Sequence, residues 1–435
     1  MDVLEKIFSW VDENKDEAVD FLAQMVKIPS INPWFSNYQQ DENELEVQKF
    51  IANYLERIGF FTQLWDVDEE ALGAYDGMPG YYKGRPMKNR PNLWAVLKGS
   101  GGGQSMLLTG HADVVKVGDG WTKEPFAATI EDGKMYGRGT VDMKGGIAAM
   151  IMAVEAIRES GVELRGDVIV GTVPDEEAGG MGTLSMVHHK DYVVADGAIM
   201  TEPTGLTIGP ICRGILWGKI VIPARAGHIE MAQGHWADGG AVDAVRLVQL
   251  LLAHIDHLNR DWAGRKRHPL LPMPNQMIVA EIHAGEYPSA YAGSAEISFN
   301  AQYFPSELDE KFRGSKVKTE IEDFIAAVAE TDSWMQENPP YIEWILDADC
   351  AETEFDSPFV QTMHQAALKA EIGDVPITGV TSHSDMGWYV RSGVPTINFG
   401  PGEPRIAHQP DEHIEIDEYI KCVKMIAAMI LEWCG

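Results

Sequence analysis

GRGTVDMKGGIAAMIMAVEAIRES, Gly137–Ser160, is the stretch on which the fold turns. Its first half crowds glycines around one acidic residue, Asp142. Its second half carries apolar residues at helical spacing. A glycine-rich turn that opens onto a helix is how a chain leaves a strand in an α/β protein. The glycines account for the turn but not for Asp142. Its carboxylate is either a cap for the helix that follows or a working group placed where the chain turns.

Working outward, the same rhythm recurs. SMLLTGHAD (Ser105–Asp113), GDVIVGTVPDEE (Gly166–Glu177), DGAIMTEPT (Asp196–Thr204) and VPTINFGPG (Val394–Gly402) each read as a short apolar strand running into a loop. Strands that alternate with helical patterns predict an α/β unit with an open, mostly parallel sheet. In such sheets ligands bind outside the carboxyl ends of the strands. Each strand here ends in a candidate metal ligand: His111 and Asp113, Glu176 and Glu177, Glu202, then His408 in the loop after the last strand. Asp142 joins them from its turn. Singly, each has a plain alternative as a surface histidine, a solvated acidic run or a helix cap. Together they form a mixed nitrogen and oxygen donor set, which suits zinc, with manganese or cobalt as substitutes.

From about residue 211 the texture changes. GILWGKIVIPARAG, GGAVDAVRLVQLLLAHIDHL, MIVAEIHAGE, SAEISFNAQYF, KVKTEIEDFIAAVAE and PYIEWIL read as β-α-β-β-α-β, the ferredoxin-like order. The expected division is a discontinuous metal-binding catalytic domain, residues 1–210 and 350–435, with an inserted α+β domain at 211–349. The first thirty residues read as a pair of acidic amphipathic helices ending before Pro29. Between Val67 and Gly103 lies an irregular glycine- and proline-rich stretch with Tyr75, Tyr81, Tyr82 and Trp94. It is either a loop over a pocket or an insertion.

Composition excludes some functions. At 435 residues the chain is too long for one ordinary core. A formal net charge of −31 repels phosphate backbones and anionic lipid, so nucleic acid and membrane surface are poor partners. No apolar run approaches the roughly 18 residues of a membrane span. Cys212, Cys350, Cys422 and Cys434 form no CxxC pair, which fits reduced thiols in a cytoplasmic protein.

Five stretches, GHADVV, GRGTVDMKGG, PDEEAGGMGT, TEPTG and GPGEPRIAHQPDE, occur in the order of the M20 metallopeptidase family. That is the group of glutamate carboxypeptidase, acetylornithine deacetylase, succinyl-diaminopimelate desuccinylase and aminoacylase. The chain resembles this family from about KIPSINP (Lys27–Pro33) onward. The resemblance implies a two-metal site, with His111 and Glu202 on one ion, Glu177 and His408 on the other, and Asp142 bridging them. It implies a cis peptide after Asp142, Asp113 as the carboxylate orienting His111, and Glu176 as the general base. Two divalent ions against the carboxylates of Asp142, Glu177 and Glu202 leave net positive charge, which favours a deprotonated water near neutral pH. The resemblance further implies a homodimer in which a histidine of the inserted lid and dimerisation domain reaches the partner's site to stabilise the oxyanion. His228 aligns best and His235 is the rival.

Departures from the family bear on the substrate. Gln302 stands where an arginine usually clamps the substrate carboxylate, and Asp243 stands in AVDA where asparagine is usual. Arg213, Arg391 and Arg405 are candidate replacements. The expected function is hydrolysis of the amide C–N bond of a small N-acyl amino acid or dipeptide-like molecule. A second reading keeps the metals and cleaves a non-peptide C–N bond of a small amine, aromatic or not, releasing amine or ammonia. A third is a catalytically dead metal-binding protein.

Overall fold

A computed structural model describes residues 2–36, 43–370 and 373–435. The chain divides into two compact units. One is Met1–Cys212 with Ala351–Val380 and Ser384–Gly435; the other is Arg213–Cys350 with Thr381–His383. In chain order the strands among the described residues are β1 (Phe61–Asp66), β2 (Pro91–Leu97), β3 (Met106–His111), β4 (Thr129–Glu131), β5 (Lys134–Tyr136), β6 (Val168–Val173), β7 (Gly197–Met200), β8 (Gly214–Pro223), β9 (Met277–Ala284), β10 (Ser294–Tyr303), β11 (Tyr341–Ala348), β12 (Thr396–Asn398) and β13 (His413–Glu415).

The first unit is built on a six-stranded sheet of order β1-β2-β6-β3-β7-β12. β6, β3, β7 and β12 run parallel, while β1 and β2 add antiparallel at one edge. Every residue of β3, β6 and β7 is buried. Parallel strands covered on both faces read as continuous apolar runs, as these do. The register sets His111 beside Val173 and Thr109 beside Met200, so three strands end along one rim. The helices Lys144–Glu159 and Ile416–Cys434 pack together in the same core as the sheet. Gly146 allows the close approach: a Cβ there would lie 1.9 Å from the Thr201 carbonyl oxygen. Truncating Ile151, fully buried in that core, to alanine would cost roughly 2–5 kcal/mol.

Two features depart from the sequence reading. The stretch Val67–Gly103 is not irregular throughout, because it contains β2, which pairs with β1 and β6. PNLWAVL opens on a proline, tolerated at the first position of a strand, and glycine-rich flanks masked it. Trp94 is therefore a sheet residue, its Nε1 donating to the Tyr192 carbonyl at 2.9 Å. A small antiparallel sheet, β13-β5-β4, was not anticipated either.

The second unit places β8, β9, β10 and β11 in the order β11-β8-β10-β9, every neighbouring pair antiparallel. With the helices Ala244–Arg265 and Ser315–Ala329 this is the ferredoxin-like arrangement. β8 and β10 alternate buried and half-buried residues, the signature of a sheet covered on one face. All four cysteines are free and buried. Among the described residues no helix is long and apolar enough to cross a membrane.

Candidate metal centre

The rim of the parallel sheet gathers seven of the eight residues singled out from the sequence, all in the first unit. His111 ends β3, and Asp113 follows two residues on. Glu176 and Glu177 share the 3-10 turn Glu176–Ala178 just after β6. Glu202 follows β7. His408 lies beyond a second 3-10 turn, Pro404–Ile406, with a left-handed φ of 64°. Two triads result, each with ligand atoms within 4.8 Å of one another: His111, Asp142 and Glu202, and Asp142, Glu177 and His408. Asp142 belongs to both. Its Oδ1 is 3.0 Å from His111 Nε2, and its Oδ2 is 3.1 Å from His408 Nε2. Glu177 Oε2 is 3.2 Å from His408 Nε2, and Glu202 Oε1 is 4.0 Å from His111 Nε2.

The turn carrying Asp142 is held from below. The Asp142–Met143 peptide is cis. Met143 occupies the N-cap of the helix and no side chain caps it, so the Asp142 carboxylate is not a helix cap. Glu412 Oε1 accepts hydrogen bonds from the backbone N–H groups of Gly139 and Val141 at 2.9 Å and of Asp142 at 3.3 Å. Its other oxygen pairs with the buried Arg138. Glu412 closes the stretch GPGEPRIAHQPDE, where nothing in the sequence marks it for this task. Asp113 also does something unexpected. His111 Nδ1 donates to the Asp113 main-chain carbonyl at 2.9 Å, while the carboxylate oxygen is 3.6 Å away. That carboxylate accepts instead from the backbone N–H groups of Glu176 and Glu177, at 3.3 and 3.2 Å, and from Asn32 Nδ2 at 2.8 Å. One buried side chain thus ties the β3 loop to the turn bearing both glutamates.

The electrostatics show a site short of positive charge. Burial, reinforced by neighbouring carboxylates, raises Glu176 and Glu202 well above the ordinary range. Burial alone would lower His111, but the charge of Glu176 and the hydrogen bond to Asp142 override it and raise the ring well above its usual value. The charge of Glu177 is the main reason His408 is pushed up to about 11. Asp142 moves the other way: burial would raise it, but hydrogen bonds from both imidazoles hold it well below the usual range. Protons on the two imidazoles therefore stand where the carboxylates call for cations. Glu177 Oε1 and Glu202 Oε1 are buried without a hydrogen-bond partner. Two imidazoles, three carboxylates and two orphaned oxygens fit a pair of divalent ions with mixed N/O ligation.

The eighth residue, His228, belongs to the second unit. It is exposed, bridges to Ala290, and its Nδ1 accepts from the Glu230 N–H at 3.3 Å. His235 is exposed as well and caps the short turn Trp236–Asp238. Asp243 has a structural task as N-cap of the helix Ala244–Arg265. Gln302 Oε1 accepts from Arg213 Nη1 at 2.6 Å. Arg405 is paired with Glu403 at 2.9 Å, and Arg391 lies over the Trp388 ring.

A family model described as Peptidase family M20/M25/M40 matches residues 107–432. The N-formyl-4-amino-5-aminomethyl-2-methylpyrimidine deformylase of Halalkalibacterium halodurans is 29% identical, covering 100% of this chain and 98% of its own. A probable succinyl-diaminopimelate desuccinylase of Staphylococcus aureus is 25% identical, covering 97% of this chain and 98% of its own. Among solved structures, human carnosine dipeptidase 1 superposes with a TM-score of 0.75 at 18% identity, over 100% of this chain and 99% of that one.

Proposed function

The chain belongs to peptidase family M20/M25/M40, and we propose that it removes a short acyl group from the nitrogen of a small amine at a pair of divalent metal ions. It is a hydrolase of amide C–N bonds. The observation that carries the reading is Asp142, one carboxylate whose two oxygens face two separate histidine-containing triads. His111, Asp142 and Glu202 would hold one ion and Asp142, Glu177 and His408 the other, zinc suiting this donor set best. When bound, such ions polarise a carbonyl and lower the pKa of water.

The chain's own residues supply the rest. Glu176 belongs to neither triad, yet its Oε2 is 3.8 Å from His111 Nε2. In this reading its carboxylate takes the proton of the attacking water and delivers it to the departing amine nitrogen. Asp113 keeps that carboxylate in place through the two backbone bonds just described. The inserted unit serves as lid and dimerisation domain of a cytoplasmic homodimer, and His228 donates to the developing oxyanion in the partner's site.

Gln302 bears on the substrate. A neutral amide offers no charged clamp for a carboxylate, and both terminal nitrogens of the neighbouring Arg213 are engaged, Nη1 by Gln302 Oε1 and Nη2 by the Met273 carbonyl, which supports an N-acyl amine without an α-carboxylate. A relative named for removing formyl from an aminomethylpyrimidine supports the same choice. Release of amine or ammonia from a C–N bond that carries no acyl group is not favoured, since both relatives are named for taking an acyl group off nitrogen. The test combines elemental analysis with a substrate panel of N-formyl-aminomethylpyrimidine, N-succinyl-diaminopimelate, N-acetyl amino acids and dipeptides. About two divalent ions per chain and fastest turnover of the formamide are expected. Full activity in metal-free protein, or no acyl removal from any member, would overturn the reading.

A further inference from the structure

Asp175 opens the turn that carries Glu176 and Glu177, and it does so at a left-handed φ of 72°. A non-glycine residue holds that conformation only when its surroundings impose it. Two arginines from a stretch far away in sequence do so. Arg85 Nη1 meets Asp175 Oδ2 at 2.7 Å, and Arg90 Nη2 meets Asp175 Oδ1 at 3.0 Å. The same Arg85 nitrogen donates to the Ala178 carbonyl at 2.6 Å, so it grips the turn at both ends. Arg90 is anchored in turn by Glu44, with Nη2 donating to Oε1 at 2.9 Å. The Tyr82 ring lies under the Arg85 guanidinium at 3.9 Å and against Gly179, where a Cβ would come within 2.4 Å of the ring. The Gly180 N–H closes the turn onto the Asp175 carbonyl at 2.7 Å.

These are not surface pairs. The side chains of Arg85, Arg90, Asp175 and Glu44 are 7%, 2%, 0% and 3% exposed. Burying two guanidiniums is costly unless their geometry is satisfied, and a tether for an incidental insertion does not require it. Planar donors reaching two carboxylate oxygens and one carbonyl fix orientation as well as distance. The residue thereby fixed is the immediate neighbour of Glu176.

We propose that Arg85 and Arg90 are positioning residues for Glu176: acting through Asp175 and the Ala178 carbonyl, they hold the turn that aims its carboxylate. The inference rests on Glu176 carrying the proton. It makes the part of the Val67–Gly103 stretch before β2 a brace for the catalytic turn.

The test places Arg85→Ala in two backgrounds, native and Glu176→Gln, in the metal-loaded full chain, using the formamide or whichever panel substrate is turned over. In the native background kcat should fall about 10- to 100-fold, as expected for misaimed groups, with KM within about 2-fold and metal content unchanged. With Glu176 already replaced there is no carboxylate left to aim, so Arg85→Ala should add less than about a 2-fold loss. Arg85→Lys, which keeps the charge but not the fork, should fall between. If Arg85→Ala does not fold, Arg85→Lys in the same two backgrounds decides. Equal losses in both backgrounds, or a loss carried by KM or metal content, would overturn the positioning role. Full turnover of Glu176→Gln alone would instead overturn the assignment of Glu176.

Discussion

The two sheets of this molecule bury their residues differently. β3 and β6 of the first unit are buried along their whole length, whereas β8 and β10 of the second alternate buried with half-buried positions. A sheet covered on both faces has dry rims, and polar residues set just beyond the strand ends enter a poorly solvated space. There Glu176 and Glu202 are driven far above the carboxylate range and the imidazole of His111 far above its own. A sheet covered on one face leaves its loops in water. The second unit's histidines 228 and 235 are exposed. On the proposed reading, burial in one unit prepares charges to bind cations and move protons, whereas His228 and His235 of the other stay in contact with water, able to act only where something covers them.

Three measurements break or sharpen that contrast. The largest effect is expected at the dry rim. Glu176→Gln should keep its metal, since it removes neither triad, while kcat falls by about 10³-fold. Near-native turnover at full metal content would move the proton carrier elsewhere. A smaller effect is expected from the solvated unit. His228→Ala should lower kcat about 100-fold without loss of metal, the worth of one oxyanion donor. Mixing it with Glu176→Gln subunits should restore part of the activity, because one shared site then holds neither defect. No recovery in proven mixed dimers would leave the second unit without a catalytic group. The smallest effect concerns stability. Burial pushes Glu44 up to about 7, from 4.5. A group raised in the folded state contributes stability that is fully present below 4.5 and is lost as the pH climbs through about 7. Glu44→Gln should flatten that part of the thermal-stability profile, and an unchanged slope between those values would show that this buried carboxylate is not what sets it.

The sequence exposed what is local and hid what is distant. Apolar runs ending in His111, Glu176 and Glu202 are legible because strand and terminal residue are contiguous, and the rule about carboxyl ends of parallel strands does the rest. The β-α-β-β-α-β pattern of the second unit is legible for the same reason. β2 was missed because a leading proline and flanking glycines imitate a loop. Arg85, Arg90 and Glu44 were missed because, in one dimension, a charged residue that will be buried against a partner 90 positions away looks like any solvated charge. Glu412 was hidden in the same way, since its three backbone partners lie about 270 residues earlier. The main-chain role of Asp113 toward His111 has no sequence signature at all, because a carbonyl is offered by every residue.

Glu412 also sets a clock. A ribosome finishes the turn Gly137–Asp142 long before it reaches the carboxylate that accepts from Gly139, Val141 and Asp142. It likewise finishes β5 before β13, the partner that follows Glu412 directly. Until then those backbone N–H groups have only water to bond. Since chains emerge and fold from the amino-terminal side, a nascent chain carries His111, Asp142, Glu177 and Glu202 while the cradle beneath Asp142 is still missing. The turn that carries Asp142 thus gains its full set of hydrogen bonds only near the end of the described sequence's synthesis.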